Sequence, residues 1–224
     1  MSAVSTRPSP LGRAGAVCLV VAPLLAIVGI LVKPTFSDDA GPIVSALTDH
    51  HGAFVAGVVL QTIALALLVA GTGWLAVAVS SRSQRLGSWG GVLGVAGLFV
   101  IAFTNGMSAA APAIVSALDP AGAKTAIDAI GSSSGMTTVE PLSLLNVVGV
   151  ALLAAGLRRT GSGPLWAAIA LALGSLVDTI GFAASAEAAA IVGFALLALG
   201  AAGVVRGLVG RPAAAASSLE PARA

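Results

Sequence analysis

Six apolar runs dominate the chain: residues 14–32, 54–79, 86–108, 140–157, 164–184 and 188–205. Apart from Glu140 at the start of the fourth and Asp178 inside the fifth, they contain no charged residue. A helix needs about 20 apolar residues to cross the roughly 30 Å hydrocarbon core of a bilayer, and each run is of that order. No water reaches that core, so each segment must satisfy its own backbone hydrogen bonds, as a helix does. The expected fold is therefore all-α: a polytopic transmembrane bundle of six helices, with short cytoplasmic loops. Two longer extracytoplasmic loops are expected to carry short interfacial helices. Composition excludes the soluble alternative, because only 9% of residues are charged where soluble domains carry about 25%. Cys18 is the single cysteine, which rules out an intrachain disulfide framework.

Between the runs the chain is polar and short. Residues 1–12 are expected to form a disordered leader, 13–209 the transmembrane domain, and 210–224 a disordered Pro/Ala/Ser-rich tail. The first run follows Arg13 and could be mistaken for a signal peptide, but it is long for one and no small-x-small cleavage site follows it cleanly. Thr35 to His51 reads as a polar loop, and Met107 to Val139 as the longest loop. The latter holds two short helical candidates, Pro112 to Leu118 and Ala121 to Ile130. In the second, Lys124, Thr125 and Asp128 face opposite to Ala126, Ile127 and Ile130, which suits an interfacial helix. Ser132 to Gly135 reads as a flexible joint. The pentamer Ile43 to Leu47 (IVSAL) recurs as Ile114 to Leu118, a weak repeat in a chain so rich in Ala, Val and Leu.

Charge sets the expected orientation. Arg7, Arg13, Arg82, Arg85, Arg158, Arg159, Arg206, Arg211 and Arg223 fall on one side of a six-span map, and only Lys33 and Lys124 on the other. Basic residues are retained in the cytoplasm, so both termini are expected there, with the protein in the plasma (inner) membrane. Trp74, Trp89 and Trp166 lie near the same ends, where indoles anchor at the interface. The net charge of +2 and pI near 9.3 therefore reflect topology, and no nucleic-acid partner is implied. The bilayer is the expected partner, with a second copy or another membrane protein the further one.

Four polar side chains on four different runs fall at one level in the outer half of the membrane: Gln61, Asn105, Asn146 and Asp178. Asp178 shares a helical face with Gly174, Gly181 and Ser185, so it should point into the bundle. An aspartate near a helix centre costs about 2.5 to 3.5 kcal/mol to insert, less toward the interface. It should be either protonated or bonded to Asn or Gln partners. The four groups serve either as interhelical bonds worth about 0.6 kcal/mol each, or as an outward-facing cavity for a proton, cation or small solute.

Asp49, His50 and His51, with Glu140, could in principle ligate zinc. Adjacent histidines point about 100° apart on a helix, so one site rarely uses both. Asp49 as a helix N-cap is the simpler reading, and neither a resident metal nor another cofactor is expected. Gly87, Gly90, Gly94 and Gly97 on the third run, and Gly203 and Gly207 on the sixth, form small-residue stripes that let helices pack closely. Gly90 to Gly94 follows no strand and has no nearby Lys-Ser/Thr, so it is not a phosphate loop.

The run Leu47 to Leu60, leading to Trp74-Leu75-Ala76, resembles uncharacterised six-helix bacterial integral membrane proteins of domain-of-unknown-function type. Asp119-Pro120-Ala121 and Pro164-Leu165-Trp166 look similar too. The resemblance implies the fold and topology and supplies no activity. Three functions remain open. A non-enzymatic structural or partner-binding protein leads, followed by a small transporter or channel-like component built around Asp178. A membrane enzyme with an outer-face metal site near His50 and His51 is the third.

Overall fold

The computed structural model describes residues 10–37 and 39–209. Residues 1–9, Asp38 and 210–224 lie outside the described residues, and with them most of the expected leader and the whole tail. The described chain is almost entirely helical. Its helices are α1 (Pro10–Val32), α2 (Ala40–Ser80), α3 (Gln84–Ala117), α4 (Pro120–Gly131), α5 (Ser134–Val139), α6 (Leu144–Arg159), α7 (Leu165–Ala183) and α8 (Glu187–Val209). Six of these, all but α4 and α5, are long and apolar enough to cross a membrane.

Their ends follow from local chemistry. Pro10 opens α1, where its missing N–H costs nothing, and Lys33-Pro34 closes it. Asp119 caps α4 by accepting from the Gly122 N–H at 2.7 Å, with Pro120 in the first turn. The α6–α7 turn uses Gly161 at φ +59°, a left-handed conformation that glycine adopts without steric cost.

Two helices outrun the expectation. The segment expected as a polar loop after α1 is already helical from Ala40, giving α2 41 residues. The helix expected to end near Ser108 continues through Pro112 to Ala117, giving α3 34 residues. The separate helix expected over Pro112 to Leu118 therefore does not exist, and the expected joint at Ser134-Gly135 is the start of α5. The fourth span opens with a 3₁₀ turn over Glu140–Ser143, so its α-helix starts at Leu144. At 1.5 Å per residue, α2 alone is about 60 Å long, roughly twice the hydrocarbon thickness. Its first turns must therefore stand clear of the bilayer core. The helix bends at His50 (φ −138°, ψ 44°), close to where that emergence falls.

The projecting ends build a cap with a core of its own. Ile43, Ala46 and Leu47 of α2 pack with Phe54 and Val58 further down it, Ala111 and Val115 of α3, and Ile127 of α4. Ala123 of α4 is fully buried there. The two IVSAL pentamers thus meet in one cluster, with Ile43 from the first and Val115 from the second. Outside the bilayer the hydrophobic effect operates, at about 25 cal/mol per Å² of apolar surface buried. Inside, it does not, and packing has to hold the helices together.

Within the bundle the helices form a closed ring in the order α1–α2–α3–α6–α7–α8, with α8 returning to α1. The ring turns large apolar side chains outward, among them Leu24 and Val28 of α1, Phe99 and Phe103 of α3, and Leu173 and Ile180 of α7. Apolar exposure on every side matches lipid rather than water. Glycines supply the inner contacts. A Cβ at Gly90, Gly94 or Gly97 would meet α6, at Leu153, Gly149 and Asn146, while one at Gly87 would meet Ser80 of α2. Gly203 lies against Trp166 and Ala167, and Gly207 against Ser162 and Gly163. The stripes are used within the chain.

Candidate functional site

Two of these close contacts bury polar groups. Gly97 of α3 rests against the backbone of Asn146, and Gly193 of α8 against the backbone of Asp178. Each glycine also lies beside the Cβ of the polar residue, so the close helix contact covers the base of that side chain. Asn146 and Asp178 are accordingly 5% and 7% exposed and line the same internal cavity. The small face of α7 predicted from Gly174 and Gly181 does exist, and it packs on α8 at Gly193, Leu197 and Ala190. Asp178 lies on that face between the two glycines, against Gly193, and also lines the cavity.

The cavity measures about 30 Å³ and is bordered by α1, α2, α6, α7 and α8. That is room for one or two water-sized occupants, each needing about 10–15 Å³. Its polar lining is Thr72, Asn146, Ser175 and Asp178, and the remainder is leucine and valine. Asn146 Nδ2 donates to Ser175 Oγ at 3.2 Å, which turns the amide oxygen away from Ser175. That Oδ1 is buried and has no hydrogen-bond partner among the described residues. Thr72 presents its methyl group to Gly94, so the hydroxyl lies on another side of a residue that lines the cavity. Asp178 Oδ1 accepts a long bond from the hydroxyl of its neighbour Thr179, at 3.4 Å. The Thr179 hydroxyl is better placed on the Ser175 carbonyl, at 2.8 Å. Among the described residues, the lysines and arginines all lie near or beyond the ends of the six spans.

The four-residue polar layer therefore divides. Asn146 and Asp178 share the cavity. Asn105 instead donates through Nδ2 to Thr62 Oγ1 at 3.1 Å, stitching α3 to α2, and Gln61 packs beside Gly29 of α1. Neither of the latter two borders the cavity. Thr72 and Ser175 were not singled out from the sequence. Ser175 was within reach, since it precedes Asp178 by three residues and so shares its face. Thr72 had no such signal, because only the packing of α2 across the ring brings it there.

At the cap end, Asp49, His50 and His51 are all exposed. Asp49, nine residues after the start of α2 and next to the non-helical His50, accepts from Ser45 Oγ on the preceding turn at 3.2 Å. Among the described residues no group of three His, Cys, Asp or Glu side chains comes together to hold a metal ion. The side chain of Glu140 lies outside what the structure describes.

At the opposite end, Arg82 in the α2–α3 turn donates to Ser162 Oγ in the α6–α7 turn at 2.7 Å. Ser162 also shares a hydrogen bond with Thr160 and is 2% exposed. This bond pins two sequence-distant turns together at the end where the arginines gather. No family model, curated protein or solved structure matches the chain.

Proposed function

We propose that this protein is a small, non-enzymatic membrane transporter or channel-like component whose substrate or coupling ion engages Asp178. One observation carries the reading: a buried aspartate lines a cavity between the helices together with Asn146, whose amide oxygen has no partner among the described residues. Ionisable groups at that depth are costly, and they commonly mark ion or substrate pathways. The purely structural or partner-binding reading has less support, because the glycine stripes that a homodimer would use are engaged inside the chain. The resemblance to six-helix bacterial membrane proteins fits either reading.

The test is flux in vesicles containing the full chain, followed with a proton-sensitive dye and with ²²Na⁺. Asp178→Asn should lower flux at least about tenfold, the scale of losing a buried charged partner. Equal flux in wild type and variant removes Asp178 from the mechanism. Absence of wild-type proton and small-cation flux defeats the reading.

The arginine-bearing end is assigned to the cytoplasm of the plasma membrane by the positive-inside rule, with both termini on that side. Ser83→Cys in a Cys18→Ala background should be labelled by an impermeant maleimide only after the membrane is opened. Labelling of intact cells at position 83 reverses the assignment.

A further inference from the structure

We propose that the cavity is a binding site for a single monovalent metal cation of sodium's size, held by the Asp178 carboxylate, Asn146 Oδ1 and the hydroxyls of Ser175 and Thr72. The proposal rests on the transporter reading and names the chemistry of its site. Four independent features lead to it.

The donors are hard. Carboxylate, amide and hydroxyl oxygens suit cations such as the alkali and alkaline-earth ions, and the site contains no sulfur or imidazole that would favour softer metals. Second, the amide is oriented. Asn146 is 5% exposed, and its Nδ2 is committed to Ser175. Oδ1 is thereby left as a buried acceptor without a partner. Leaving a buried acceptor in that condition is costly, and a cation would satisfy it. Third, the charge balances. Among the described residues Asp178 is the only acidic one lining the cavity, so one monovalent cation makes the site neutral. A divalent ion would leave a net positive charge in a medium that penalises it heavily. Fourth, the size agrees. About 30 Å³ holds an ion and at most one water, whereas Mg²⁺ keeps several waters and requires near-octahedral geometry. A proton would neutralise Asp178 equally well, but it needs neither the space nor the two hydroxyls.

The experiment is equilibrium ²²Na⁺ binding to the purified full chain in detergent, at constant ionic strength, with N-methyl-D-glucamine as the replacing cation. The result expected is saturable binding of close to one Na⁺ per chain. Asp178→Asn should weaken it at least about tenfold, and Thr72→Val, which keeps the shape and removes one hydroxyl, about three- to tenfold. Thermal unfolding followed by tryptophan fluorescence supplies a second readout. Na⁺ should raise the midpoint of the wild type and of Gln61→Leu, a variant altered outside the cavity, but not that of Asp178→Asn. Equal Na⁺ response in wild type and Asp178→Asn overturns the proposal whether or not either variant is destabilised. Loss of proton flux in Asp178→Asn without any Na⁺ binding also overturns it, while leaving the transporter reading standing with the proton as the ligand. Absence of both binding and flux defeats both.

Discussion

Gly149→Val is expected to abolish the folded bundle, or to lower its stability by about 3 kcal/mol, the upper end of the usual cost of overpacking. A Cβ at Gly149 would lie against the backbone N and Cα of Gly94 and the carbonyl oxygen of Gly90. Those are main-chain atoms of a helix, so no rotamer change can clear the overlap. α6 would have to move off α3, opening the ring at the seam that also holds Gly97 against Asn146. No hydrophobic effect draws the helices back together in lipid, and the lost van der Waals packing has no substitute. Gly73→Ala is the control, since nothing lies within 4 Å of a Cβ at that position of α2. Denaturation by SDS titration checks both variants. A Gly149→Val protein as stable as wild type would mean that α3 and α6 do not touch here.

Asn146→Leu separates function from packing. If Asn146 only bonds α6 to α7, its loss should cost about 0.6 kcal/mol, seldom above 2, and leave any flux through the protein unchanged. If it is a ligand-binding group, the outcome reverses. Removing the unpartnered acceptor is favourable, and it offsets part of the cost of leaving the buried Ser175 hydroxyl without its Asn146 donor. The expected result is a stability within about 2 kcal/mol of wild type, with Asp178-dependent flux at least about tenfold lower. A variant that loses stability and keeps its flux assigns Asn146 to interhelical bonding.

Much of the architecture was legible in the chain. Runs such as Phe54 to Val79 announce a span because few charged groups can enter hydrocarbon, whatever the tertiary fold. The lengths of α2 and α3 were less visible. Residues such as Ser45, Thr48 and Asp49 make a helix look like a loop when polarity is the guide. Ile43 and Leu47, four residues apart on one face of α2, are what the cap buries. Pro112 likewise reads as a helix start, yet α3 passes through it.

The site shows the same division. That Asp178 points inward could be read from Gly174 and Gly181, because helical periodicity fixes which residues share a face. Depth alone placed Gln61, Asn105, Asn146 and Asp178 at one level, and depth says nothing of rotation around the ring. Asn105 turns to Thr62 and Gln61 to α1, while Asn146 and Asp178 meet Thr72 and Ser175.

By itself, then, the sequence determined the solvent, the number of spans and the grouping of basic residues at one end, because each follows from how single segments partition between lipid and water. Only the tertiary structure decided which polar groups share a cavity. That depends on where glycines let helix backbones touch, at Gly97 on Asn146 and Gly193 on Asp178. Such contacts form between segments far apart in the chain, and no periodicity within one segment encodes them.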